Sequence, residues 1–343
     1  MKKIFTCFFI IYLLTLLTGC GSNSGLTYTT DSPNENVDME NTSTNQSDTK
    51  TNYMTATSEI AELERGFSVV RYDGDYSFGQ FLEQGGAESD QEVLRFLNDT
   101  VFGKDYGLQM GGNAFGCSTI SVQNTDGGYL FGRNFDWKAC DALVVTDYPK
   151  DGYASISTVN LDFVKQGAGF ASYFISDEIM SVAALYAPID GMNEKGLCVS
   201  VNMIQDSATI SQNTGKPDIT TTTAIRLMLD KAATTEEALT LLGQYDLHAS
   251  MNYMVHFAIA DSEGNSVAVE YIDNEIRFEI LTKTLEENSN MSALELKDVL
   301  DSVSKDNFNE YESTEWSIVF DQSAMTATYY HRENYETGYS FQL

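Results

Sequence analysis

The sequence predicts an α+β fold in which antiparallel β-sheets are sandwiched between layers of helices. Two observations lead to this prediction. Predicted strands are joined by the short turns "NTDGG" and "DSEGN", which are typical of hairpins. The few helical segments do not alternate strictly with single strands, as they would around a parallel sheet. With 42% hydrophobic and 12% aromatic residues in a chain of 343, residues 58–343 can bury a full core.

The chain begins with an export signal: two lysines, an apolar run from Ile4 to Leu17, and Leu-Thr-Gly-Cys. The run is short for a membrane span. Its ending resembles the lipobox of bacterial lipoproteins, where the cysteine is lipidated and becomes the new N-terminus. The resemblance implies a signal peptide over residues 1–19, lipidation at Cys20 and anchoring to the outer face of the cell membrane. An ordinary cleaved signal with a free Cys20 is the alternative.

Residues 20–57 are rich in Ser, Thr, Asn and Asp and have few large apolar side chains. Such a segment buries too little surface to offset the entropy of ordering, so we expect a disordered tether. The net charge of the whole chain is −30. A surface this acidic repels nucleic acid, which excludes a nucleic-acid partner, and solubility outside the cell is the simplest reason for it.

The helices and strands of residues 58–343 are predicted from the spacing of apolar residues and from turn and capping residues. Strands are predicted where apolar and β-branched residues run between turn residues, at GFSVVRYDG, CSTISVQ, YLFGRNFDW, GLCVSVNM, MVHFAIAD, SVAVEYID and WSIVFD. Helices are predicted where Ser or Thr precedes Glu at capping-box spacing and apolar residues follow, at SDQEVLRFLNDT, TEEALTLLGQY and SALELKDVLDSVSK. A further helix is predicted at TAIRLMLDKA.

Beyond Cys20, three cysteines remain in the exported body: Cys117, Cys140 and Cys198. An odd number in an oxidising compartment leaves at least one unpaired thiol. Cys198 lies in an apolar strand and is expected to be a small buried residue, with pairing to Cys140 left open. Cys117 stands at the head of the first hairpin, directly after Gly116.

That hairpin brings charged residues to the thiol. A turn centred near Asp126 and Gly127 places Cys117 opposite Asp136, with Arg133 and Asn134 within one cross-strand step. An arginine and a carboxylate beside a thiol make a reactive microenvironment. A surface hairpin with an Arg-Asp pair and a buried thiol fits the spacing equally well.

Gly116 favours the reactive interpretation. If the backbone is cut between Gly116 and Cys117, the thiol acquires its own α-amino group, whose unperturbed pKa is about 8. Nucleophile and general base then belong to one residue, which explains why no Cys-His motif is visible.

With these features the sequence resembles the choloylglycine hydrolase and penicillin V acylase group of linear-amide C–N hydrolases. These are N-terminal-nucleophile hydrolases related to the isopenicillin acyltransferases. The match is most specific at Cys117, with Arg133 sixteen residues on and Asp136 three beyond it. It implies an αββα sandwich, autoproteolysis before Cys117 as the nucleophile, Asp136 holding its α-amine, and Arg133 contacting thiol and substrate. Residues 58–116 would be a pro-segment or small chain, and residues 117–343 the catalytic chain.

Two further blocks match. In "GMNEKGLCVSVNM" the resemblance implies Asn202 as donor to the oxyanion. In "HFAIADSEGNSVAVEY", a core hairpin of the family, His256 is interpreted as a core residue. The family's later Thr-Asn segment, and the later active-site arginine of some bile-salt enzymes, have no counterpart here, because the chain runs almost directly into a helix. Asn274, Asn288 and Asn290 lie in the wrong context.

The expected activity is hydrolysis of a small N-acyl amide or conjugated bile acid, without a metal or other cofactor, since no ligand spacing or phosphate loop is visible. Two alternatives stay open. One is an inactive or ligand-binding lipoprotein of this family, and the other is a Cys-His hydrolase that uses Cys117 with His256 or His248. Four aromatic residues either line an acyl pocket or, as we prefer, pack in the core: Trp137, Phe163, Phe170 and Tyr173.

Overall fold

The computed structural model describes residues 53–111, 116–165, 175–204, 209–272, 275–280, 290–305 and 313–343. The strands are β1 Ala61–Glu64, β2 Phe67–Gly74, β3 Gly116–Gln123, β4 Tyr129–Trp137, β5 Ala142–Pro149, β6 Ser155–Asn160, β7 Asp190–Asn193, β8 Cys198–Met203, β9 Asp218–Thr220, β10 Asp246–His248, β11 Val255–Ala260, β12 Ser266–Ile272, β13 Glu275–Ile280, β14 Ser313–Asp321, β15 Thr326–His331 and β16 Tyr339–Gln342. The helices are α1 Phe78–Glu83, α2 Asp90–Phe96, α3 Leu161–Lys165, α4 Asp177–Leu185, α5 Thr221–Lys231, α6 Thr235–Leu242 and α7 Ala293–Ser302. A π-helical turn, Leu97–Phe102, extends α2, and a 3-10 turn covers Ser250–Asn252.

Two large sheets dominate the fold. The first has nine strands in the order β1-β2-β5-β6-β7-β8-β11-β12-β13, and the second has five in the order β16-β15-β14-β4-β3. Neighbouring strands are antiparallel except for β2 and β5, which pair in parallel. A separate parallel pair joins β9 and β10.

The two sheets face each other, and helices cover their outer faces. Between the sheets, the hydroxyl of Thr158 on β6 lies 3.1 Å from that of Tyr329 on β15. On the outer face of the larger sheet, Asn193 of β7 donates to the Leu229 carbonyl of α5. On the outer face of the smaller sheet, α7 packs against β4 and β14. The αββα sandwich predicted from the sequence is confirmed.

Local signals placed most of the predicted elements correctly. The side chains of Ser89, Thr234 and Ser292 each accept the backbone N–H three residues on, as capping predicts, and Ser292 forms a reciprocal capping box with Glu295. One expectation was wrong: the chain does not run straight from the β11–β12 hairpin into a helix. It first forms β13, which pairs antiparallel with β12.

The segment before Cys117 contributes to the core. Strand β2 lies inside the larger sheet between β1 and β5, and its Phe67 and Val70 side chains are fully buried. The predicted signal peptide, Cys20 and nearly all of the predicted tether lie outside the described residues. None of the helices that the structure describes is long and apolar enough to cross a membrane.

Candidate active site

The β3–β4 hairpin sets the geometry of the site. Its five-residue loop is centred on Asp126, so Cys117 pairs with Phe135, and Gly116 pairs with Asp136. The predicted pairing of Cys117 with Asp136 was therefore wrong by one residue, within the slip that the turn allowed. Since a one-residue shift moves a side chain to the opposite face of a sheet, this correction separates the thiol from the carboxylate.

Each face of β3 and β4 now has its own set of groups. Cys117, Thr119 and Arg133 face the larger sheet, because Thr119 pairs with Arg133 and cross-strand partners share a face. Asn134 and Asp136 face α7, and the Asn134 side chain donates to a carbonyl of that helix at 2.8 Å. The backbone at Cys117 thus separates an arginine on one face from a carboxylate on the other.

The Cys117 thiol is partly buried against β8. Its Sγ lies 3.7 Å from the carbonyl oxygen of Val201, and it also interacts with the Arg133 guanidinium. Burial raises the pKa of the Cys117 thiol, and the positive charge of Arg133 acts in the opposite direction. The thiol therefore needs a base before it can act as a nucleophile.

Arg133 is held rigidly from the facing sheet. Its Nε donates to Oδ2 of Asp190 at 2.6 Å, and its Nη1 donates to Oδ1 of Asn202 at 3.0 Å. The indole N–H of Trp316 donates to the same Asp190 oxygen at 3.2 Å. The arginine and Asp190 side chains are fully buried. Asp190 was not predicted, because no local pattern marks the partner of a distant arginine.

Asn202 presents its amide nitrogen to the site. Arg133 donates to the carbonyl oxygen of the Asn202 side chain, which leaves Nδ2 to face the site. Nδ2 donates to Oγ1 of Thr119 over 3.4 Å. That hydrogen bond is long for N–H···O. The amide can therefore exchange Thr119 for a better acceptor without losing its orientation.

Asp136 is fixed on the opposite face of the sheet. Its Oδ1 accepts a hydrogen bond from the Thr314 hydroxyl at 2.7 Å, and its Oδ2 lies 3.1 Å from the Lys305 ammonium. A Cβ added to Gly116 would lie 3.1 Å from the same Oδ2 atom. Of the four predicted catalytic residues, Cys117, Arg133 and Asn202 form one contact network, and Asp136 lies behind it at the predicted cut.

The family model of linear amide C–N hydrolases, choloylglycine hydrolase family, matches residues 117–292, just over half of the chain. The chain belongs to the choloylglycine hydrolase family. Members of this family hydrolyse linear amide bonds, and the matched region begins at Cys117.

Some solved structures resemble the chain at low sequence identity. A mutant conjugated bile acid hydrolase from Clostridium perfringens has 14% identity and a TM-score of 0.44, covering 66% of this chain and 92% of its own. Penicillin V acylase from Agrobacterium tumefaciens has 16% identity and a TM-score of 0.39, covering 62% and 82%. Because these values are low, the family assignment depends on the sequence match. No protein with a curated description matches the chain.

The two histidines of the Cys-His alternative lie beside carboxylates. His256 is partly buried, lies opposite Asn202 across β8 and β11, and has its Nδ1 3.8 Å from a Glu270 oxygen. Burial lowers the pKa of His256. His248 pairs with Asp218 in the separate two-stranded sheet. Among the described residues, the Cys117 thiol interacts with no histidine.

The remaining predicted residues that the structure describes are buried. Trp137 and Phe163 are buried and pack edge to face with ring centroids 5.1 Å apart, which supports the core interpretation. Phe170 and Tyr173 lie outside the described residues. Cys140 and Cys198 are buried free thiols. No group of His, Cys, Asp and Glu within the described ranges could hold a metal ion.

Proposed function

We propose that the chain hydrolyses small N-acyl amides through Cys117, after its own Gly116–Cys117 bond is cut. One observation carries the proposal: at Cys117 the thiol lies against Arg133 on one face of the sheet, while Asp136 lies beside Gly116 on the other. A single residue there can offer its sulfur to one group and its nitrogen to the other. The family match starting at Cys117 supports the same assignment.

The cut would be an acyl shift from nitrogen to sulfur followed by hydrolysis, in which the thiol proton passes to the departing nitrogen. The Cys117 sulfur attacks the Gly116 carbonyl carbon, the peptide C–N bond breaks, and the acyl group moves from nitrogen to sulfur as a thioester. Water then hydrolyses the thioester, which leaves a Gly116 carboxylate and a Cys117 with a free thiol and a free α-amine. In this proposal Asp136, which lies beside Gly116, holds that amine as it forms.

Turnover repeats the same chemistry on a bound amide. The α-amine takes the thiol proton, sulfur attacks the substrate carbonyl, and the Asn202 amide leaves Thr119 to donate to the oxyanion. The amine returns the proton to the leaving nitrogen, and water hydrolyses the acyl-enzyme. Arg133 lowers the thiol pKa throughout, since Asp190 and Asn202 hold it in place.

Residues 58–116 fit a retained small chain better than a discarded pro-segment. Strand β2 aligns with β5 over its full length in the interior of the larger sheet. Its removal would uncover the buried Tyr329 ring, which packs against Phe67, together with the backbone edge of β5. We further propose that the export signal directs the chain out of the cell and is removed, and that lipidated Cys20 anchors this two-chain product at the outer face of the membrane.

The test is the intact mass and N-terminal sequence of the full chain, purified in mild detergent and incubated with a reductant. The expected result is two fragments that co-purify, one of which begins at Cys117. A Cys117→Ala variant should stay uncut and should not hydrolyse penicillin V or glycine-conjugated bile acids. A Cys117→Ala protein that still hydrolysed these amides would refute the proposal. An active but uncut wild-type chain would favour the Cys-His alternative.

A further inference from the structure

The Asp136 carboxylate is held by two residues from outside the β3–β4 hairpin: Lys305, which follows α7, and Thr314 of β14. Thr314 donates its hydroxyl to Oδ1 at 2.7 Å, and the Lys305 ammonium lies 3.1 Å from Oδ2. Lys305 and Thr314 are also hydrogen-bonded to each other. The Lys305 backbone N–H donates to the Thr314 hydroxyl at 2.8 Å, and the Thr314 N–H donates to the Lys305 carbonyl. The lysine thus reaches the carboxylate from a fixed backbone.

The same ammonium lies against the predicted cut. A Cβ added to Gly116 would lie 3.0 Å from Lys305 Nζ and 3.1 Å from Asp136 Oδ2. Both charges therefore approach the backbone immediately before Cys117. The pair is not an ordinary surface ion pair, because the Lys305 side chain is 39% exposed but that of Asp136 is only 4% exposed.

Cutting the bond would give Asp136 two cationic partners, the Lys305 ammonium and the new α-ammonium of Cys117. Two like charges around one carboxylate disfavour each other, and the weaker base loses its proton first. The unperturbed pKa of an α-amine is about 8 and that of lysine is about 10.4. The Cys117 amine is therefore the group that becomes neutral, which is the state a general base requires.

We infer that Lys305 is a positioning residue for the amine base: it holds Asp136 against Gly116 before the cut and keeps the Cys117 α-amine unprotonated afterwards. Lys305 can act in this way only in the cut chain, so the inference rests on the proposed function. Lys305 lies 188 positions after the proposed nucleophile in the sequence.

The experiment is a pH titration of the Cys117 Cα resonance in the cut, full-length protein labelled with ¹³C-cysteine. Cys140 and Cys198 are buried and serve as internal references. Lys305→Met should raise the midpoint of the amine titration by about one pH unit, and Lys305→Gln should repeat the shift. Lys305→Arg should keep the wild-type midpoint because it keeps the charge.

A control at another lysine separates the loss of this charge from the loss of any surface charge. Lys195→Met removes a lysine of similar exposure, which pairs with its neighbour Glu194, and it should leave the midpoint unchanged. Equal midpoints in wild type and both neutral Lys305 variants would overturn this inference alone. A wild-type chain that is never cut would overturn the proposed function, and this inference with it.

Discussion

Replacing Asp190 by asparagine tests whether the buried charge of Arg133 depends on its partner. The two side chains are fully buried and joined at 2.6 Å, and Trp316 adds an N–H donor to the same oxygen. Breaking a buried pair typically costs 3–5 kcal/mol, because it leaves one charge uncompensated. Asparagine keeps one acceptor oxygen, so we expect a loss near the lower end, about 3 kcal/mol.

The assay is urea unfolding of the Cys117→Ala chain, which stays in one piece, with and without Asp190→Asn. Asp151→Asn is the matched control: Asp151 also pairs with a cation at 2.8 Å, but its side chain is 91% exposed. That control should leave the free energy of unfolding close to that of the parent chain, because an exposed ion pair is screened by solvent. Adding Arg133→Met to Asp190→Asn should recover stability, since no unpaired charge is left.

A loss below about 1 kcal/mol for Asp190→Asn in a folded protein would refute the assignment of an uncompensated buried charge. Failure of Arg133→Met to recover any stability would also count against it. A loss near the expected value, reversed in the double variant, would show that Asp190 exists to neutralise Arg133. Arg133 would then be available to the thiol only because the facing sheet supplies that carboxylate.

Three further changes have expected outcomes. Cys117→Ser should be cut more slowly than wild type, because a hydroxyl is the weaker nucleophile; fragment masses over time check this. Gly116→Ala should also slow the cut, since its Cβ would lie 3.0 Å from an ammonium and 3.1 Å from a carboxylate oxygen; a cleavage rate equal to wild type would contradict it. Burial raises the pKa of Asp147 to about 8 and that of Asp230 to about 6, although the Arg226 guanidinium opposes both shifts. A carboxyl whose pKa is higher in the folded state stabilises the fold fully at low pH, and this contribution is lost as the pH rises from about 4 through about 8. Asp147→Asn cannot ionise, so its stability relative to wild type should grow across that window in urea unfolding measured at each pH.

Features marked by local residue patterns could be predicted from the sequence. The capped helix α7 follows from Ser292 and Glu295, and the hairpin at Cys117 follows from alternating residues around a glycine-containing turn. The register was one residue off because composition does not fix the centre of a five-residue turn. That single step decided whether Asp136 shares a face with the thiol.

Partners supplied by distant elements could not be predicted. Asp190 reaches Arg133 from the facing sheet, and Lys305 and Thr314 reach Asp136 from the end of α7 and from β14. None of these residues has a spacing that links it to Cys117 in the sequence. His256 was assigned to the core because its block resembles a core hairpin of the family; its side chain is partly buried, and its strand places it opposite Asn202. Packing between layers decides such positions, and one sequence contains no direct record of it.

The position of β2 between β1 and β5 has a consequence for how the protein could be made. Within one chain, β2 finds its place as part of a unimolecular reaction at high effective concentration. Once the Gly116–Cys117 bond is cut, an unfolded molecule becomes two polypeptides that must meet in solution, and the longer one would expose the apolar edge beside β5. Assembly would then be a one-way event, and the lifetime of the mature protein would depend on its unfolding rate. The peptide bond would serve as a scaffold for folding before it is broken to release the catalyst.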